Sequence, residues 1–315
     1  MPVSFYVQGV IMEVVLVDAF SQIFRGYYAI RHLSDSQGRP TNAIFAFTKL
    51  SLQLQRLYPS QYGAMVFDCG EVAFRTDIAP NYKANRSPTP EDLLAQLPAI
   101  RTLVAVFGWK LVEAVNYEAD DLIAGAAGMF AGREVGIVSQ DKDLAQLVTA
   151  TTRLLRPAKP AGFSIWGGDE VVGKFGVRPE QIVDYLAIVG DSSDNIPGVP
   201  GIGEKGAANI LSVAGSLSQF FEDPSVIANE KIRGKLLENR ELLALNLKLV
   251  GLRSDLPAAF AETQAWVRCE PDWAEIRRIG QEYELGSILR ELPEVVVKKD
   301  EAPADKELSQ GMFDF

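Results

Sequence analysis

The sequence predicts an α/β protein with a central, mainly parallel sheet flanked by helices, and two observations carry that expectation. Along the chain, short apolar runs alternate with helical patterns, the signature of βαβ units. Three of those runs end alike: "VVLVD" at Asp18, "AMVFD" at Asp68, and "VGIVSQDKD" at Asp141 and Asp143. Parallel strands bring their carboxyl ends to one sheet edge, where open α/β folds bind ligands, so these four carboxylates should converge.

The elements follow in chain order. Residues 1–11, "MPVSFYVQGVI", carry no basic residue and precede no small-residue cleavage site, so a signal peptide is not expected. Met12 opens the first convincing strand and is a candidate start. Between the second and third strands, "TPEDLLAQLPAIRTLVAVFG" predicts one helix, with Thr89 as cap, Pro90 at the first position and Gly108 as stop. "NYEADDLIAGAAGMF" predicts another. Its Leu122, Ile123, Ala126, Ala127 and Phe130 make an apolar face, while Glu118, Asp120 and Asp121 crowd its start.

Two further helices, "RPEQIVDYLAIVG" and "EKGAANILSVAG", flank "GDSSDNIPGVPGIGEKG", where Asp191 and Asp194 stand three residues apart before a run of glycine and proline. "GIGEKG" matches the dinucleotide fingerprint G-x-G-x-x-G at Gly201, Gly203 and Gly206. No buried strand precedes it, so that match is set aside. The better reading is a helix-hairpin-helix whose bare backbone N–H groups face a phosphate, gripping duplex backbone without reading bases. Gly201, Gly203 and Lys205 are its candidate DNA contacts. A tight turn with no ligand would account for the glycines alone. The expected division is an extension at 1–11, an α/β core at 12–178, a helical hairpin subdomain at 179–292 and a tail at 293–315.

Composition bounds the function. With 315 residues, 47% hydrophobic and 23% charged, the chain has room for one large domain or two smaller ones. No apolar run approaches the roughly 20 residues of a membrane span, and a cytoplasmic protein is expected. The two cysteines, Cys69 and Cys269, lie far apart, which fits reduced thiols. His32 is the sole histidine, which argues against a histidine-based triad or zinc site.

The net charge of −10 needs breaking down. Residues 300–315 hold five acids against one lysine; setting these aside with nine candidate metal ligands leaves 30 basic against 27 acidic residues. A phosphate-rich partner is therefore permitted. The nine are Asp18, Asp68, Glu118, Asp120, Asp121, Asp141, Asp143, Asp191 and Asp194. Taken singly, each reads as a turn residue, a cap or a complement to a helix dipole. Packed together, so many carboxylates repel unless cations hold them. Oxygen-only ligation selects hard ions, Mg²⁺ or Mn²⁺. Two such ions about 4 Å apart suit in-line displacement at a phosphodiester.

Six stretches, "LVDAF", "VFD", "FRTDIAPNYKANRSPTPEDL", "EADD", "SQDKDLAQLV" and "GDSSDNIPGVPGIGEKGA", stand in order between Met12 and Leu292. Together they resemble the 5′ nuclease domain at the amino end of bacterial DNA polymerase I, of the flap endonuclease family, here as a stand-alone protein. The resemblance implies a PIN-like 5′ nuclease fold with a helical arch near 70–92. It also implies one metal near Asp68, Glu118, Asp120 and Asp121 and another near Asp141, Asp143, Asp191 and Asp194, with Asp18 between. Lys83 and Arg86 are then expected at the reacting phosphate, and Tyr82, Arg25 and Arg75 at the DNA. A K⁺ ion is expected at the hairpin turn. Phe24, Tyr27 and Tyr28 are candidates for stacking on bases, with core packing the alternative for Phe24.

The implied activity is two-metal hydrolysis near 5′ ends at single-strand to duplex junctions, on flapped, nicked or RNA-primed DNA, for primer removal and repair. Ala19, Gln140 and Gly206 depart from residues common in the family, but no departure removes a carboxylate or Lys83. Haloacid-type phosphatases also use acids at strand ends but need a second aspartate two residues after the first, where this chain has Phe20. A non-catalytic junction-binding protein should have lost several carboxylates. At the end of the chain, Gln310, Met312, Phe313 and Phe315 follow a polar linker and resemble short motifs that dock on sliding clamps.

Overall fold

The computed structural model describes residues 11–70, 73–158 and 162–294. The core strands are β1 (Val14–Asp18), β2 (Tyr62–Val66), β3 (Lys110–Val112), β4 (Val135–Val138), β5 (Thr152–Pro157) and β6 (Phe163–Trp166). They lie in the order β3-β2-β1-β4-β5-β6, parallel except for β6, which runs antiparallel to β5. A run of β-branched or apolar residues suits a strand covered on both faces; in β1, Val14 to Val17 form that run, and all five residues including Asp18 are buried.

Strand alternation divides the core in two. Val14, Leu16, Ala64, Val66, Val135 and Ile137 face one side; Val15, Val17, Met65, Val138 and Leu155 face the other. The helices that follow the first two core strands are α1 (Ala19–Ala29), α2 (Asn42–Leu57), α3 (Ala73–Ile78), α4 (Glu91–Leu94) and α5 (Leu97–Val106); α6 (Ala119–Met129) then leads from β3 to β4. Leu16 is fully buried. Its replacement by alanine would cost about 2–5 kcal/mol, a transfer term plus a cavity term.

Beyond β6 come α7 (Gly168–Phe175) and α8 (Ile182–Val189). Then follow a two-residue ribbon, β7 (Gly190–Asp191) with β8 (Ile196–Pro197), and α9 (Glu204–Ala214). The chain continues through α10 (Leu217–Glu222), α11 (Glu230–Glu238), α12 (Arg240–Val250), α13 (Trp273–Glu282) and α14 (Gly286–Leu289). The hairpin helices share the core of the α6 face, whereas α13 and α14 return to cover the α1, α2 and α5 face.

Three local expectations need correction. The helix expected from Thr89 to Gly108 is two, α4 and α5, because Pro98 has no N–H to offer the Leu94 carbonyl and its ring crowds that carbonyl. Pro90, not Thr89, occupies the cap position. Gln96, at the break, donates to the Asp92 carbonyl while its Oε1 accepts from Ala43 N (2.9 Å) and Ile44 N (3.2 Å), satisfying free donors at the start of α2. The "RPEQIV" helix also begins later than its first residues, which form a 3₁₀ turn at Pro179–Gln181. Among the described residues, no helix is long and apolar enough to cross a membrane.

Candidate active site

The carboxyl ends of β1, β2 and β4 assemble an acidic edge. Asp18 ends β1 and caps α1, accepting from Ser21 N at 3.1 Å. Its other oxygen accepts from Ser139 Oγ at 2.7 Å, and Ser139 Oγ accepts from Asp141 N at 3.0 Å, so one serine joins the ends of β1 and β4. Asp68 accepts from Ala119 N at 2.9 Å, joining the end of β2 to the start of α6. Burial pushes the Asp18 carboxyl up to about 7, against the hydrogen bonds from Ser139 and Ser21. Asp120, in the first turn of α6, keeps part of its surface exposed. Even so, the surrounding protein, followed by the charges of Asp141, Asp18 and Asp68, raises its pKa well above the carboxylate range.

Oxygens of Asp143, Asp191 and Asp194 all lie within 4.8 Å of one another. Asp143 Oδ1 is buried and has no hydrogen-bond partner. Burial, then the charges of Asp141 and Asp191, push the Asp143 carboxyl up to about 8. Burial acts on Asp191 too, but hydrogen bonds from Ser193 and Lys142 outweigh it and hold that carboxyl below its usual value. Lys142 Nζ stands 3.1 Å from Asp191 Oδ2. Three carboxylates with oxygens within reach of one another, and a buried carboxylate oxygen without a partner on one of them, fit a hard divalent cation.

The segment after α3 crosses this edge. Lys83 adopts a left-handed backbone (φ 55°), and its N–H donates to the Asp194 carbonyl at 3.0 Å. Lys83 Nζ donates to Glu118 Oε1 at 2.6 Å, and Arg86 Nη2 to Asp194 Oδ1 at 2.6 Å. The Tyr82 hydroxyl lies 3.1 Å from Glu118 Oε2 and 3.2 Å from Asp194 Oδ2, with one proton to share between them. Burial alone would lower the Lys83 pKa; Glu118 and Asp194 outweigh it and raise it, so the ammonium stays charged.

Two expected site residues pair with each other instead. Arg75, expected at the DNA, is fully buried, and its Nη1 and Nη2 donate to Asp121 Oδ2 (2.7 Å) and Oδ1 (2.8 Å). Asp121, expected at a metal, also accepts from Arg253 N at 3.0 Å and has no exposed surface. Arg75 Nε reaches the Leu249 carbonyl at 3.0 Å, so this pair ties α3 and α6 to the end of α12. Consecutive helical residues point about 100° apart, and here Asp121 turns to Arg75 while Asp120 keeps some exposed surface. That spacing was the signal available in the sequence.

Arg25, unlike Arg75, meets none of the nine acids; its Nε donates to Gln22 Oε1 at 3.1 Å. With Phe45, Lys49, Arg56 and Trp273 it lines a separate surface cavity of about 870 Å³. Phe24 stacks near-parallel on Tyr28, which is exposed, while Tyr27 is held by a hydrogen bond to Asp92. At the hairpin, Gly190 (φ 78°) and Gly198 press backbone on backbone: a Cβ on Gly198 would lie 2.1 Å from the Val189 carbonyl oxygen. A Cβ on Gly203, at the start of α9, would meet only open space. Gly201 (φ 73°) sits under Lys235, whose Nζ donates to the Pro200 carbonyl at 2.8 Å. Lys205 is exposed in the first turn of α9. Ser139, Lys142 and Lys235 are contacts the sequence reading did not single out. Only Lys142, inside "DKD", had a local signal.

Residues 13–176 match the family model for the 5′-3′ exonuclease N-terminal resolvase-like domain, and residues 177–273 that for the 5′-3′ exonuclease C-terminal SAM fold. The chain belongs to the 5′-3′ exonuclease family. A 5′-3′ exonuclease of Aquifex aeolicus is 36% identical over 282 residues, covering 89% of this chain and 95% of the relative. The thermostable DNA polymerase I of Thermus thermophilus is 37% identical over 295 residues, covering 92% of this chain but 34% of the polymerase. The exonuclease chain thus spans about a third of that polymerase's length. Its fold is shared with T5 5′-exonuclease in a zinc-bound structure (TM-score 0.64, 23% identity, 88% of this chain and 97% of that one). The catalytic core of Rad2 in complex with DNA substrate shares it too (TM-score 0.61, 16% identity, 90% and 93%).

Proposed function

We propose that this exonuclease-family protein is a structure-specific 5′ nuclease, a flap endonuclease and 5′→3′ exonuclease that hydrolyses phosphodiesters near 5′ ends at single-strand to duplex junctions. The observation that carries the reading is the Asp143, Asp191 and Asp194 cluster with its orphaned oxygen, beside the acids at the strand ends. These three would hold one divalent cation. Asp68, Glu118 and Asp120 would hold the other, with Asp18 and Asp141 between them. When bound, Mg²⁺ or Mn²⁺ supplies positive charge at the phosphate and lowers the pKa of the attacking water.

The protein's own groups do the rest. Lys83 and Arg86, 2.6 Å from Glu118 and Asp194, can turn from those acids to the phosphate and oppose the negative charge that grows on it in the transition state. Tyr82, donating to one of two acids, helps keep both oriented. Backbone at Gly201 and Gly203, with Lys205, grips the duplex phosphates and sets the distance from junction to cleavage. In this reading the protein acts in the cytoplasm, in primer removal and repair. The expected K⁺ at the hairpin turn would sit beside the Lys235 ammonium. A change in DNA affinity when K⁺ replaces Na⁺ would support it.

The clamp-docking residues Gln310, Met312, Phe313 and Phe315 lie outside the described residues. As a proposal, they tether the nuclease to a sliding clamp. Deleting residues 309–315 should abolish clamp binding and leave cleavage of isolated flaps intact, whereas unchanged clamp binding refutes the tether. For the nuclease itself, a labelled 5′-flap duplex is incubated with and without Mg²⁺. The reading expects a cut near the junction that leaves a 5′-phosphate and a 3′-hydroxyl only with the metal. Binding without cleavage would make the protein a junction-binding module.

A further inference from the structure

The cations closest to the acids are committed: Lys83 to Glu118, Arg86 to Asp194 and Lys142 to Asp191. Arg156 is different. It lies at the carboxyl end of β5, the strand next to β4, after the register pair Val138 and Leu155. Its Nη2 donates to the Gln140 carbonyl at 3.0 Å, and its guanidinium lies 4.3 Å over the Trp166 ring. Among the described residues no carboxylate stands within ion-pair distance of it. Burial lowers its pKa, and Asp141 is the acid whose charge opposes this.

Along the sheet edge the order is therefore Asp68 on the β2 side, Asp18 on β1, Asp141 after β4 and Arg156 on β5. Adjacent strands are about 4.8 Å apart, so the Arg156 backbone stands roughly one strand beyond β4, and its guanidinium reaches back to the carbonyl next to Asp141. Lys83 and Arg86 reach the acids from the segment after α3, through Glu118 and Asp194, whereas Arg156 reaches them from β5. The guanidinium is half buried and pairs with no carboxylate among the described residues, so its charge is available to an incoming anion. Ring stacking and the Gln140 carbonyl fix the orientation of the guanidinium, whose other N–H groups keep the fork that suits a phosphate.

We propose that Arg156 is a phosphate-binding residue of this site, holding the phosphate next to the scissile one on the cleaved strand. The inference rests on the nuclease reading. A contact of this kind carries no sequence preference; it fixes the strand's register over the acids.

The test uses Arg156→Met, which keeps a stem over Trp166 and removes the charge, and flap substrates carrying one neutral methylphosphonate at each position around the cut. On the all-phosphate flap the variant should lose about 10- to 100-fold in kcat/KM, the worth of a charged hydrogen bond. The salt dependence of its DNA binding in Ca²⁺ should be shallower by about one. On the single substrate neutralised beside the scissile phosphate, variant and wild type should cleave alike. The same loss at every methylphosphonate position, or no loss at all, overturns the proposal and leaves Arg156 as a support for the Gln140 turn. If the methionine variant melts below wild type, Arg156→Lys carries the same scan, its smaller loss vanishing at the same position. A wild-type protein that cuts no all-phosphate flap would contradict the nuclease reading instead.

Discussion

Lys83 Nζ lies 2.6 Å from Glu118 Oε1, while the same glutamate's Oε2 is 3.1 Å from both the Tyr82 hydroxyl and Arg75 Nη1. One carboxylate thus joins the crossing segment to the acidic edge. Lys83→Ala should lower single-turnover flap cleavage by about 10²- to 10³-fold, the cost of losing one transition-state donor, and change junction affinity much less. Fluorescence anisotropy in Ca²⁺ alongside quenched-flow cleavage separates the two. A loss of affinity with an unchanged rate would make Lys83 a DNA-positioning residue only.

Arg75 and Asp121 form a buried, two-pronged ion pair with no exposed surface on either side chain. Removing one partner strands the other, so Arg75→Ala should destabilise the protein by about 3–5 kcal/mol in urea unfolding. The loss should appear with no DNA present. A variant as stable as wild type but weakened in DNA binding would restore Arg75 to the substrate.

The acidic residues at strand ends were legible because β1, β2 and β4 are apolar runs that stop at an acid, and parallel topology does the rest. The partition among those acids was less so. Asp121 and Arg75 carry the charges a nucleic-acid enzyme needs, and only the direction of their side chains shows that each neutralises the other. β3, β5 and β6 were not foreseen. β3 has three residues, while β5 carries Arg153, Arg156 and Pro157 and pairs with β6 on its outer side, so neither reads as a buried run. The split between α4 and α5 was legible in Pro98, which a pattern of apolar spacing overrode.

Asp143, pushed up to about 8, should be one of the groups that set how the metal-free protein responds to pH, beside Asp18 and Asp120. A carboxyl whose folded pKa lies above its ordinary value of about 4 favours the folded state while protonated. That contribution is complete below about pH 4 and is lost as pH rises toward 8. Asp143→Asn cannot ionise, so in EDTA its Tm should exceed that of wild type by a margin that widens between pH 5 and pH 8. A margin that narrows over that range contradicts the assignment.

The hairpin glycines divide by what surrounds them. Gly198→Ala should lower Tm strongly, since its Cβ would strike the Val189 carbonyl, whereas Gly203→Ala should fold as wild type and bind duplex DNA more weakly. Lys205→Ala should leave stability alone and reduce the slope of log affinity against log salt by about one. Unchanged duplex binding in both Gly203→Ala and Lys205→Ala would leave the hairpin a structural turn.

The central claim is that the acids hold metal for chemistry while the hairpin holds DNA. It is tested most directly by measuring junction binding in Ca²⁺ and single-turnover cleavage in Mg²⁺ for Asp141→Asn and Asp143→Asn. The account predicts wild-type binding with cleavage reduced by several orders of magnitude in both variants. Cleavage at the wild-type rate in either variant would contradict it.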